Sequence, residues 1–204
     1  MTWAAFLTVV AIHLAAAMSP GPSFVVSVRV SAAEGFRTGA ALALGFGLGA
    51  FLWATAAMAG LALLFQVIPE IYLGLKLIGA GFLLWIAYML WRHAAEPLPA
   101  PEAGAAPRGA LAAMRFGLLT FATNPKTAVF FSAVFVGLIP ADTPLGWRLA
   151  VLAAVFTNEV LWYLVVARVF SLSAPRNIYL RLKRWLDRAF GALIAALALK
   201  IGLT

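Results

Sequence analysis

The chain has 204 residues, of which 64% are hydrophobic and 11% charged, with a net charge of +8 and no cysteine. About a quarter of an ordinary soluble domain is charged, so this chain lacks the polar surface to coat a soluble fold, and a soluble enzyme, a disordered chain and a coiled coil are excluded. At about 20 apolar residues per bilayer span, the apolar total fills roughly six spans and leaves no length for a globular domain outside the membrane.

The first apolar run is Trp3 to Met18. It resembles a signal peptide in its Ala15-Ala16-Ala17 end, but no Lys or Arg precedes it, and a signal peptide needs a basic start. It is expected to be a retained first helix. Ser19-Pro20-Gly21-Pro22 ends it, because proline lacks the N–H and clashes with the preceding turn. A short piece, Ser23 to Ser31, follows and carries Arg29. The second run, Gly39 to Phe65, places Ala41, Gly45 and Gly49 on one stripe, where another helix can pack closely. The third, Ile71 to Trp91, ends in Trp85, Tyr88 and Trp91, an aromatic interface belt. Residues 92–110, with four prolines and two glutamates, predict an exposed, mobile linker.

The fourth run, Leu111 to Ile139, is interrupted by Thr123-Asn124-Pro125-Lys126. The fifth, Leu145 to Phe170, holds Asn158 and Glu159 near its middle. A basic stretch follows, with Arg168, Arg176, Arg181, Lys183, Arg184 and Arg188. The sixth run is Ala189 to Leu203, with a start as early as Trp185.

The two halves echo one another. The breaks at Pro20 and Pro125 are 105 residues apart, and the same shift lays the second run on the fifth. Tyr72-Leu73-Gly74-Leu75-Lys76 is answered by Tyr179-Leu180-Arg181-Leu182-Lys183, 107 residues on. Three helices are an odd number, so a second copy enters the membrane inverted. The expected architecture is therefore an all-α polytopic membrane protein. It has six transmembrane helices in two inverted three-helix repeats, residues 1–91 and 111–204, around the linker 92–110. Loops one, three and five carry eleven basic residues; Lys76, Arg148 and Lys200 lie on the other side. Cytoplasmic loops collect Lys and Arg, which puts both termini in the periplasm. The same distribution argues against a nucleic-acid face.

Chemistry has few polar groups to work with. The breaks at Pro20-Gly21-Pro22 and Asn124-Pro125-Lys126 free backbone carbonyls, tolerated at membrane depth only where protein buries them or water reaches them. Lys126 and Glu159 are costly in a bilayer unless paired or wet, and each is the other's expected partner. Lone His13 on an apolar helix reads first as a packing residue. Trp53, Trp162 and Tyr163 read as core or lipid contacts. With no cysteine and only two histidines, no metal site or cofactor is implied.

Met18-Ser19-Pro20-Gly21-Pro22 after an N-terminal helix resembles the first motif of the LysE/RhtB family of amino-acid exporters. Asn124-Pro125-Lys126 before an apolar run resembles its second, and Glu159 followed by Leu161-Trp162-Tyr163 its acidic fifth helix. The similarity covers the whole chain. It implies efflux of an amino acid or related metabolite across a bacterial inner membrane by proton exchange. The expected substrate site is Pro20, Gly21, Pro22, Asn124, Pro125 and Lys126, with Glu159 as the proton-coupling group. No phosphate-binding loop offers another energy source. No second deep acid is present for a basic side chain, so a neutral amino acid is expected. The implied partners are that substrate, protons and membrane lipid, and a homodimer is left open. A non-transporting scaffold or accessory subunit, and an ion exporter of similar topology, are the remaining alternatives.

Overall fold

The computed structural model describes residues 1–19, 21–61, 77, 80–81, 84–85, 87–89, 91–96, 107–135, 138–140 and 142–203. All regular structure among the described residues is helical. Helix α1, Trp3–Met18, starts where Thr2 Oγ1 accepts from the Ala5 N–H at 3.2 Å. Helix α2, Pro22–Glu34, opens on proline, whose fixed φ suits a first helical position and whose missing N–H is no loss there. The two helices are bent by 59° at the break. Gly35 then turns the chain at φ 86, a left-handed backbone that glycine adopts without strain.

Helix α3, Phe36–Ala56, runs on into a π-helical turn, Ala57–Leu61. Helix α4 is Ala110–Ala122. Helix α5, Pro125–Val129, again opens on proline and continues as a π-helical segment, Phe130–Phe135. Helices α6, Leu145–Phe170, and α7, Ser173–Leu203, complete the described chain.

Helix α3 is the centre of the packing, between α4 and α6. Its small residues set the distance. A Cβ on Gly45 would meet the Met114 carbonyl oxygen, and one on Gly117 of α4 would meet that of Leu42. Gly49 lies under Phe121, and Gly47 faces Val160 of α6. The small-residue stripe read from the sequence is thus a close helix–helix contact, in which backbones approach each other directly. Leu42, Ala43, Phe46 and Ala50 of α3 are fully buried beside it. The outer faces of α3 and α6 instead expose Leu44, Leu48, Leu52, Leu149, Leu161 and Val165, as a bilayer-facing surface requires.

Among the described residues two helices are long and apolar enough to cross a membrane, Phe36–Gly60 and Leu145–Phe170, and α1 with α2 qualifies as a third if the bent pair is one span. Most of the expected third span lies outside the described residues. Its aromatic belt is exposed at Trp85, Tyr88 and Trp91, and the Trp91 indole N–H donates to the Arg188 carbonyl at 2.9 Å. One expectation is revised. The basic stretch after α6 is not a loop: α7 begins at Ser173 and is 31 residues long, about 46 Å at 1.5 Å per residue and longer than a bilayer core of about 30 Å. The described ends of the linker are largely exposed, as expected, and hydrogen bonds join them to neighbouring helices. Arg108 donates to Glu34 through its backbone N–H and Nη1, at 2.7 and 2.6 Å, and Lys183 donates to the His93 and Ala94 carbonyls at 3.2 and 3.4 Å.

Candidate functional site

The two helix breaks meet. Pro20 lies outside the described residues, but Ser19 and Gly21 on one side and Asn124 and Lys126 on the other line one cavity between α1, α2 and α5, while Pro22 opens α2 beside it without lining it and Pro125 opens α5. Asn124 works in both directions. Its Oδ1 accepts from the Lys126 backbone N–H at 3.0 Å and caps α5, while its Nδ2 donates to Ser23 Oγ on α2 at 2.8 Å. A cap and a cross-link between the breaks are thus one side chain, and it is buried at 4% exposure.

Lys126 turns back over Gly21 to the end of α1. Its Nζ donates to the Ala16 carbonyl at 2.8 Å, the Ser19 carbonyl at 2.5 Å and Ser19 Oγ at 2.8 Å. An ammonium has three N–H groups, so all three are used. The Ala16 carbonyl is one that a continuing helix would have satisfied from residue 20, where proline has no N–H. Gly21 makes the path possible: a Cβ there would stand 3.1 Å from Lys126 Cδ, inside the usual carbon contact of about 3.5–4.0 Å.

Glu159 lies on the facing wall, 2% exposed, with its Oε2 3.5 Å from Nε2 of His13, itself 2% exposed. The expected Lys126–Glu159 partnership is therefore replaced by two others, although both residues line one cavity. The physical reason is the break itself. Carbonyls stripped of their helical donors lie closest to the ammonium and need a donor as much as the ammonium needs acceptors. Next to Glu159, Asn158 Nδ2 donates to the Val10 carbonyl at 3.1 Å and fixes α6 against α1.

The cavity is about 40 Å³, with Phe24, Phe121, Phe130, Phe131 and Tyr163 as its apolar wall. Each water needs about 10–15 Å³ of such space, so a few waters fit and an amino acid does not until the helices part. Tyr163 belongs to this wall, whereas Trp53 and Trp162 pack against the core. Three participants were not singled out by sequence reasoning: Ser19, Ser23 and His13 as a polar partner. Ser23, Ser27 and Ser31 recur every four residues on α2 and are all buried, a spacing that was open to inspection. Among the described residues no group of acids and histidines could hold a metal ion.

Comparison with known proteins agrees in one direction. The family model of the LysE type translocator matches residues 14–204. The threonine efflux protein of Escherichia coli strain K12 is 30% identical over 200 residues, covering 96% of each chain. The uncharacterized membrane protein YahN of the same strain is 31% identical over 183 residues, 90% of this chain and 82% of that one. The leucine efflux protein of Enterobacter sp. strain 638 is 28% identical over 180 residues, 87% of this chain and 83% of its own. No solved structure matches.

Proposed function

The chain belongs to the LysE type translocator family, and on that premise we propose that it is a secondary active exporter of a neutral amino acid across the bacterial inner membrane. The observation that carries this reading is the meeting of the two breaks, with Lys126 seated on the freed carbonyls of α1 and Glu159 lining the same cavity. A zwitterion needs a cation for its carboxylate and acceptors for its ammonium. Lys126 supplies the first; Glu159 and the Ala16 and Ser19 carbonyls supply the second. Relatives named for threonine and for leucine efflux support a neutral substrate.

The proposed site comprises Pro20, Gly21, Pro22, Asn124, Pro125 and Lys126. A substrate carboxylate enters by displacing at least one α1 acceptor from Lys126, which loosens α1 from α5. Six spans in two inverted repeats, 1–91 and 111–204, rock about this centre. The Glu34–Arg108 pair and the Lys183 bonds draw the end of α2, the described ends of the linker and the first half of α7 to one side. The Trp3 and Trp147 rings, 4.9 Å apart, draw the start of α1 to the fourth loop. Both groupings support an even number of spans. The eleven-to-three charge bias supports a cytoplasmic first group and periplasmic termini. Glu159 is the proposed proton carrier, exchanging a proton for the substrate ammonium.

The test is transport by proteoliposomes under an imposed pH gradient. Threonine or leucine should accumulate against its gradient, in preference to lysine or arginine. Glu159→Gln should abolish uphill accumulation and leave substrate exchange partly intact. A Gln variant that still accumulates substrate uphill would place the proton elsewhere.

A further inference from the structure

Resting on the exporter reading above, we propose that His13 and Glu159 form one proton-carrying unit, with His13 a coupling residue and not a packing residue. A buried imidazole ordinarily satisfies both of its nitrogens. Here Nε2 lies 3.5 Å from Glu159 Oε2, while Nδ1 is buried without a hydrogen-bond partner. A neutral imidazole carries one donor and one acceptor nitrogen. Beside an ionised Glu159 the ring proton belongs on Nε2, facing the carboxylate, and Nδ1 is left as an unused acceptor.

That vacant acceptor gives the pair a balanced way to take up one proton. A proton binds Nδ1, the Nε2–H bond breaks, and the departing proton forms the O–H bond on Glu159 Oε2. The pair has gained one proton, its charge has gone from minus one to zero, and the contact between the residues persists with its donor reversed. A neutral Glu159 no longer holds the substrate ammonium, so proton loading expels the substrate. Reversal of the same transfers toward the cytoplasm resets the site. The Phe130 and Phe131 rings stand 5.8 and 5.9 Å from the His13 ring and shield it on that side. The other titratable groups lining the cavity are Lys126 on α5 and Tyr163 on α6. Lys126 is held at the end of α1 by its three acceptors, and His13 is in contact with Glu159.

The experiment measures two quantities in proteoliposomes loaded with threonine, for the full chain and for His13→Gln and His13→Asn. One is counterflow, which moves substrate without net protons. The other is the number of protons moved per threonine, read with a trapped pH dye. The proposal expects uphill accumulation to fall by about ten-fold or more, counterflow to fall less than that, and few protons to move per threonine. The ratio of protons to threonine does not depend on how much protein folds. A packing role predicts low yield but an unchanged ratio in whatever inserts, and that result overturns the proposal. Failure of both variants to insert at all assigns His13 to folding and overturns it as well. A parent chain that accumulates nothing uphill instead refutes the exporter reading itself.

Discussion

A single ammonium does much of the structural work at the centre of this protein. Burying a lysine in a membrane costs several kcal/mol unless its donors are met, and Lys126 meets all three on α1. Lys126→Met removes the donor and strands the Ala16 and Ser19 carbonyls, each a loss of about 1–3 kcal/mol when a buried group goes unpaired. Its melting temperature in detergent should fall, and export should stop. Lys126→Arg keeps the charge but brings a planar fork where a narrow stem must pass Gly21. It should fold better than the Met variant and still export poorly. Equal melting of parent and Met variant would show that the carbonyls find other donors. That Lys126 would be buried against polar partners was readable from Asn124-Pro125-Lys126, because lysine inside an apolar run is expensive. The identity of those partners was not, since opposite charges suggest each other while freed carbonyls leave no mark in the sequence. His13 escaped for a related reason: an isolated imidazole looks the same whether it packs or pairs.

At the scale of helices, proline and glycine were the readable residues. Both breaks fall where Pro22 and Pro125 open new helices, and the Gly45 and Gly49 stripe is where α3 meets α4. The π-helical segments Ala57–Leu61 and Phe130–Phe135 were not readable, having no proline or charge to announce them. Nor was the early start of α7, whose basic residues looked like a loop but lie on a helix that also exposes Ile178, Leu182 and Trp185. The close contact of α3 with α4 makes a sharp prediction. A methyl group at Gly117 would run into the Leu42 carbonyl, a backbone atom that cannot rotate away. Gly117→Ala should destabilise the protein by about 1–3 kcal/mol, visible as earlier thermal unfolding in detergent. Gly60→Ala is the control: among the described residues nothing lies within 4 Å of its added Cβ, and a helical Gly-to-Ala change is worth up to about 1 kcal/mol in the stabilising direction. If the two variants melt alike, α3 and α4 are not in backbone contact.

For the molecule as a whole, the small cavity means that transport requires a rearrangement, and α2 shows where one could begin. Ser23, Ser27, Ser31 and Glu34 fall on one face of that helix, since 11 residues make about three turns. The face runs from the cavity at Ser23 to the Arg108 pair at Glu34. Under the proposed orientation this pair ties the first repeat to the end of the linker, where Arg108 lies over the Phe116 ring of α4, and so favours the closed arrangement on the cytoplasmic side. Glu34 is nearly buried while Arg108 is 43% exposed, so screening limits the pair to about 1 kcal/mol, or about five-fold in an equilibrium constant. The chain contains no cysteine, so Ser27→Cys provides one thiol on an otherwise unreactive background. In inside-out vesicles a membrane-impermeant thiol reagent should label that cysteine slowly. Adding Glu34→Ala should raise the labelling rate about five-fold, because the state open to the cytoplasm becomes more populated. In right-side-out vesicles the same substitution should slow labelling or leave it unchanged, because opening one side closes the other. Faster labelling from the periplasmic side alone would invert the orientation derived from loop charge. An unchanged rate from both sides would show that the Glu34–Arg108 pair holds the linker in place without latching the two repeats.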